Sequence, residues 1–141
     1  MMTGLYRNWM NIWRAAMIAA GLIFVLAAFP ATDIFVRLFY DLIYWPLDGN
    51  SGFSDASRPT IAILGAVFLA FAVLIQGVVK IAFDDPASPL WRVITMSVVV
   101  WWVVDSGVSV ICGVPVNAVT NTILLVTFLV PILGSGVLKR G

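Results

Sequence analysis

The chain has 141 residues, of which 62% are hydrophobic and 11% charged, less than half the charged share of about 25% in a soluble domain. With a mean hydropathy of +1.04 and its charges gathered between long uncharged stretches, it has the composition of an integral membrane protein with one transmembrane domain over residues 1–141. His and Glu are absent and Cys112 is the single cysteine. That excludes a metal or haem centre held by imidazole, an internal disulfide and a dithiol relay, so no cofactor is expected. The net charge of +1 gives no reason to invoke nucleic acid.

Arg7 and Arg14 lead into a first uncharged stretch, residues 15–32, enough for roughly 27 Å of helix. It ends in Ala27, Ala28, Phe29, Pro30 and Ala31, which raises a signal-peptide reading. The proline beside the cleavage point argues against it, and the span is expected to stay.

Residues 33–45 place Asp33, Arg37 and Asp41 at i, i+4 and i+8 among apolar and aromatic side chains. This predicts a short amphipathic helix with one narrow polar stripe and two i,i+4 ion pairs worth about 0.3–0.5 kcal/mol each. Tyr40, Tyr44 and Trp45 suit the headgroup level, so the helix is expected at the membrane interface, ending at Pro46 before a mobile turn over 48–57. It either caps the bundle or acts as a lid or docking surface. Asp48, Asn50 and Asp55 faintly resemble a calcium loop, but the glycine is misplaced and the closing Glu is absent, so that reading is rejected.

A second span is predicted over residues 59–79, with Ser57 as cap and Pro59 in the first turn. Ala62, Ala66 and Ala70, like Ala16 and Ala20 on the first span, form small-residue stripes for close packing. Asp84 and Asp85 before Pro86 read as a solvated turn. The third span, 92–112, has Ser88 as cap and Pro89 at the first helical position. Gly113 to Val116 then force a hairpin, and the fourth span covers 117–138 with a kink expected at Pro131, which frees a carbonyl. The fold class predicted is therefore all-α: an integral membrane four-helix bundle with a short interfacial helix after the first span. Six basic residues (Arg7, Arg14, Lys80, Arg92, Lys139, Arg140) fall on one side and two (Arg37, Arg58) on the other. By the positive-inside rule both termini are cytoplasmic.

Asp105 interrupts the third span. An ionised carboxylate there costs roughly 2.5–3.5 kcal/mol on insertion scales unless it is paired, wetted or protonated. Counting from the turn, Asn121 on the returning helix lies at nearly the same depth and Asn117 one turn nearer the surface. Helical spacing puts Val98, Trp102, Ser109 and Cys112 on the Asp105 face. The candidate intramembrane polar site is thus Asp105, Ser109, Asn117, Asn121 and Trp102. Asp105 accepts hydrogen bonds from Asn121 and Ser109 and locks two helices, or it carries a proton or cation beside a Trp102 pocket wall. A third arrangement has Arg37 reach it from the outer helix. Cys112 reads as a small apolar residue rather than a nucleophile.

The stretches Tyr44-Trp45-Pro46-Leu47-Asp48-Gly49 and Val104-Asp105-Ser106, followed by Asn117 and Asn121, resemble a pattern in short uncharacterised bacterial integral membrane proteins with four spans. The resemblance implies that fold and a bacterial inner membrane, and no catalytic residues. With no nucleophile and base at motif spacing, and no acidic pair placed for a metal, an enzyme is not expected. The expected function is an accessory or structural subunit packed against a larger membrane complex, with the bilayer and other subunits or copies of itself as partners. The alternative is an oligomeric small transporter, a proton- or cation-coupled carrier using Asp105.

Overall fold

A computed structural model describes residues 2–49, 52–85 and 87–139. Asn50, Pro86 and Arg140, used above for the rejected calcium loop, the solvated turn and the charge count, lie outside the described residues. The chain is helical: α1 (Gly4–Leu26), α2 (Ile34–Ile43), α3 (Arg58–Ala82), α4 (Leu90–Ile111) and α5 (Pro115–Ser135), with a closing 3-10 turn at Val137–Lys139. Four of these, α1, α3, α4 and α5, are 21 to 25 residues long, enough to cross a hydrocarbon core of about 30 Å. The expected class, all-α with four membrane-spanning helices and a short amphipathic helix after the first, is the one observed.

The burial pattern agrees with it. In the most apolar stretch of each span only 17–28% is buried; Ile12, Ile63, Leu74, Met96 and Leu133 are exposed, whereas Arg14, Asp33, Asp41, Arg58 and Asn121 are buried. So large an exposed apolar surface, with charges buried, departs from a water-soluble protein and suits a chain whose surrounding solvent is itself apolar.

The boundaries move where charge was used as a ruler. α1 begins at Gly4 rather than residue 15, so Arg7 and Arg14 lie inside the helix, not ahead of it. A helix continues through a charge whenever the side chain finds partners, and both guanidiniums lie against the Phe83 ring, 4.8 and 5.3 Å from its centre. α1 then stops at Leu26 rather than residue 32, because the residue before Pro30 cannot continue the helix; the Thr32 hydroxyl donates to the carbonyl of Leu26 at 2.7 Å. Ser57, expected as a side-chain cap, instead gives its hydroxyl to the Ser54 carbonyl at 2.9 Å. Pro89 occupies the cap position itself, and α4 starts one residue later. The α4–α5 hairpin is tighter than expected. Gly113 at φ +79° follows the helix end, and the N–H groups of Gly113 and Val114 return to the carbonyls of Val110 and Ser109 at 3.1 and 2.9 Å, a Schellman closure that lets Pro115 open α5 at once.

The chain divides into two compact units, Ala16–Val73 in one and Met1–Ala15 with Leu74–Gly141 in the other, so α1 and α3 each lend a segment to both. In the Ala16–Val73 unit, α1 and α3 meet at glycines. A Cβ on Gly65 would lie 2.6 Å from the Val25 backbone nitrogen, and one on Gly21 would lie 2.8 Å from the Leu69 Cα. The expected alanine stripe does not make this contact, since Ala66 and Ala70 are exposed; only glycine permits an approach this close. Ala27, Val36, Phe53 and Ile61 form the core there.

In the other unit the N-terminal part of α1 docks antiparallel on α5. Tyr6 lies against Gly134, where any Cβ would meet its hydroxyl at 2.5 Å. The Trp9 indole N–H donates to the Thr127 carbonyl at 2.9 Å, and the Trp13 indole N–H donates to the Leu124 carbonyl at 3.1 Å. Thr127 is the residue whose carbonyl loses its helical partner to Pro131, which α5 contains without interruption. The carbonyl that the sequence predicted to be freed is therefore filled by an indole from another span.

Candidate functional site

α4 and α5 pack through a polar seam that begins just below their hairpin. Asp105 is partly exposed, whereas Ser106, Ser109 and Asn121 around it are buried. Asn121 Nδ2 donates to Asp105 Oδ2 at 3.0 Å and lies 3.5 Å from Ser106 Oγ. Asn117 Nδ2 donates to Ser109 Oγ at 2.8 Å, and that hydroxyl in turn donates a hydrogen bond to the main-chain carbonyl of Asp105 at 2.7 Å. Ser109 therefore does not serve the Asp105 carboxylate, as its helical spacing suggested. A serine within a helix reaches its own i−4 carbonyl more readily than a side chain one turn back. Trp102 adjoins the seam, and its indole N–H donates to Thr122 Oγ1 at 3.0 Å. Cys112 is exposed.

The structure thus brings together Asp105, Ser109, Asn117 and Asn121 and adds Ser106, which the helical-spacing set of Val98, Trp102, Ser109 and Cys112 left out. Asp105 Oδ1 takes no hydrogen bond among the described residues. Chemically, the seam offers one carboxylate with an oxygen held by an amide and an oxygen to spare, in surroundings that are otherwise neutral.

Arg37, which the sequence offered as a possible partner of Asp105, is engaged elsewhere. Its Nε and Nη2 donate to the two carboxylate oxygens of Asp33, both at 2.9 Å. Asp33 also meets Arg58 Nη2 at 2.9 Å, and Arg58 continues to Asp55 at 2.9 Å and to the Ala27 carbonyl at 2.7 Å. Phe53 completes the cluster, with the guanidiniums of Arg37 and Arg58 each 5.2 Å from its ring centre. The hydrogen bond from Arg37, helped by that from Arg58, holds the Asp33 carboxyl below the usual carboxylate range, and Asp33 in turn raises Arg37. The second ion pair expected along α2 does not form: Asp41 accepts the backbone N–H of Gly49 at 3.1 and 3.2 Å instead. Sequence reasoning found the Asp33–Arg37 pair from its spacing. Arg58 and Phe53 are 25 and 20 residues from Asp33, and no local pattern signals such a contact.

Arg14, a further buried cation, donates to the Gln76 backbone carbonyl at 3.1 Å and to the Asn11 side-chain oxygen. Among the described residues no three His, Cys, Asp or Glu side chains gather as metal ligands.

These features define a multi-pass, all-helical membrane protein in contact with the lipid bilayer. No family model, no curated protein and no solved structure matches the chain.

Proposed function

We propose that the protein is a small accessory subunit that associates, through its α4–α5 face, with a larger protein complex of a bacterial inner membrane. The observation that carries this reading is Asp105. It is partly exposed on a span, held by one neutral amide at Oδ2, and without a cationic partner among the described residues. A carboxylate at membrane depth is expensive unless a second donor meets it, and a neighbouring subunit can supply that donor. The remaining polar groups of the seam bond to one another and fix α4 against α5, as a rigid docking face requires. Both termini are cytoplasmic on this reading, by the balance of basic residues, and the four-span resemblance noted above fits it.

The test is purification of the full chain from its native membrane in mild detergent. Stoichiometric co-purification of larger subunits, reduced when Asp105→Leu replaces the acceptor, is the expected result. A chain that runs alone as a dimer, with Asp105→Asn abolishing ion-dependent uptake in vesicles, replaces this reading with the carrier. The carrier is kept as a second reading because Oδ1 of Asp105 is the same uncommitted atom that would take a proton or cation.

A further inference from the structure

Among Asp33, Asp41, Asp55, Arg37 and Arg58, one carboxylate forms no ion pair. Asp33 and Asp55 are matched by Arg37 and Arg58, whereas Asp41, 8% exposed, has no cation among the described residues and accepts only the Gly49 N–H. A backbone amide satisfies part of a carboxylate's hydrogen-bonding capacity and none of its charge. Beside Asp41 lies a cavity of about 190 Å³, lined among the described residues by Ile34, Arg37, Leu38, Asp41 and Gly49. Arg37 has five N–H donors, of which Nε and Nη2 are committed to Asp33, and its side chain is still 43% exposed. Its Nη1 edge is therefore available to an anion.

One small cavity thus presents an unmatched carboxylate and, one helical turn away, the spare edge of a guanidinium, on a floor of Ile34 and Leu38. We propose that this cavity binds a zwitterion carrying a primary ammonium and a phosphate, the ammonium on Asp41 and the phosphate on Arg37, as presented by a phosphoethanolamine lipid headgroup. The volume is below the 300 Å³ or so typical of pockets for drug-sized ligands and suits a headgroup. Ile34, Phe35 and Leu38 are exposed at 55%, 62% and 56%, offering an apolar surface on which acyl chains can continue. Tyr44 and Trp45, exposed at the end of α2, are the aromatic residues that settle at headgroup level. A primary ammonium is favoured over a quaternary one because only the former can donate hydrogen bonds to Asp41.

The same chemistry could reach the cavity as a free zwitterion, and the experiment separates the two sources. The full chain is reconstituted in phosphatidylcholine nanodiscs doped in turn with phosphatidylethanolamine, its N-methyl and N,N-dimethyl forms, or phosphatidylglycerol. Retained lipid is read by native mass spectrometry, and stability by the thermal midpoint. Phosphatidylethanolamine is expected to be retained and to raise the midpoint, with the effect falling at each added methyl and absent for phosphatidylglycerol. Asp41→Asn keeps an acceptor for Gly49 and is expected to lower the retention about tenfold, the loss of one charge-assisted hydrogen bond. Soluble phosphoethanolamine raising the midpoint in undoped discs, with the same sensitivity to Asp41→Asn, assigns the cavity to a free zwitterion; no such rise, with lipid retained, assigns it to the headgroup. Equal retention across the methylated series, measured on the native chain and so independent of any variant's folding, overturns the proposal. So does an Asp41→Asn chain that keeps the preference.

Discussion

Arg14 and Arg58 are both buried arginines lying over a phenylalanine ring, at 5.3 Å from Phe83 and 5.2 Å from Phe53, but their partners differ in kind. Arg58 meets two carboxylates, Asp33 and Asp55; Arg14 meets a backbone carbonyl and an asparagine oxygen. The contrast extends to the units around them. In Ala16–Val73, charge answers charge at Asp33 and Asp55, whereas Asp41 forms no ion pair among the described residues. In the other unit, Arg14 and Asp105 each rest on neutral groups, and the helices are joined by indoles, amides and hydroxyls. The paired charges of Asp33, Asp55, Arg37 and Arg58 offset one another's desolvation, and removing one partner leaves the other buried and uncompensated. A network of neutral donors holds helices together at low cost and leaves its charges open to outside partners.

Four measurements sharpen or break this contrast. The largest effect is expected for Arg58→Gln, which strips Asp33 and Asp55 of a shared cation and the Ala27 carbonyl of its donor. Its thermal midpoint should fall well below that of any single change in the α4–α5 seam. An equal or smaller fall would mean that the charged cluster adds no more than the neutral one.

Next is acid sensitivity. Because Asp33 titrates below its ordinary value when folded, the stability it adds is fully present above the unfolded carboxylate value of about 4 and is lost as pH falls through the lower folded value. Asp33→Asn should flatten that acid limb in a pH series of thermal midpoints, and an unchanged limb would assign it to another carboxylate.

The indole donated to the proline-freed carbonyl gives a smaller effect. Trp9→Phe is expected to cost about 1 kcal/mol in reversible unfolding. In a Pro131→Ala background the alanine's own N–H serves Thr127, and the cost of Trp9→Phe should shrink. A cycle with no coupling would break the assignment of that carbonyl to Trp9. The smallest change is expected for Asn121→Ala, about 0.6 kcal/mol, the mean for a hydrogen bond between membrane helices. It should also leave the salt dependence of stability unaltered, unlike Arg58→Gln.

How much of this was legible in the sequence follows from the range of each interaction. Charge-free stretches gave the number of spans because desolvating a charge is the dominant cost in a bilayer. The same stretches misjudged α1 because Arg7 and Arg14 find Phe83, 76 and 69 residues away. The Asp33–Arg37 pair and the pairing of Asp105 with Asn121 were legible, the first from helical spacing and the second from counting residues away from a hairpin marked by Gly113 and Pro115. The roles of Ser109 and Trp102 were not, since a side chain chooses among several acceptors at similar distance and spacing does not rank them.

The sequence by itself determined the solvent of this protein, its four spans, its hairpin and the one carboxylate on α4, because each is a consequence of local composition and of backbone constraints at glycine and proline. Tertiary structure alone decided that Asp33 is shared by two arginines, that Trp9 occupies the carbonyl vacated by Pro131, and that Asp41 lies beside a cavity with no ion pair among the described residues. Those outcomes depend on which donors and acceptors from distant parts of the chain the packing brings within hydrogen-bond reach, and no local spacing encodes that.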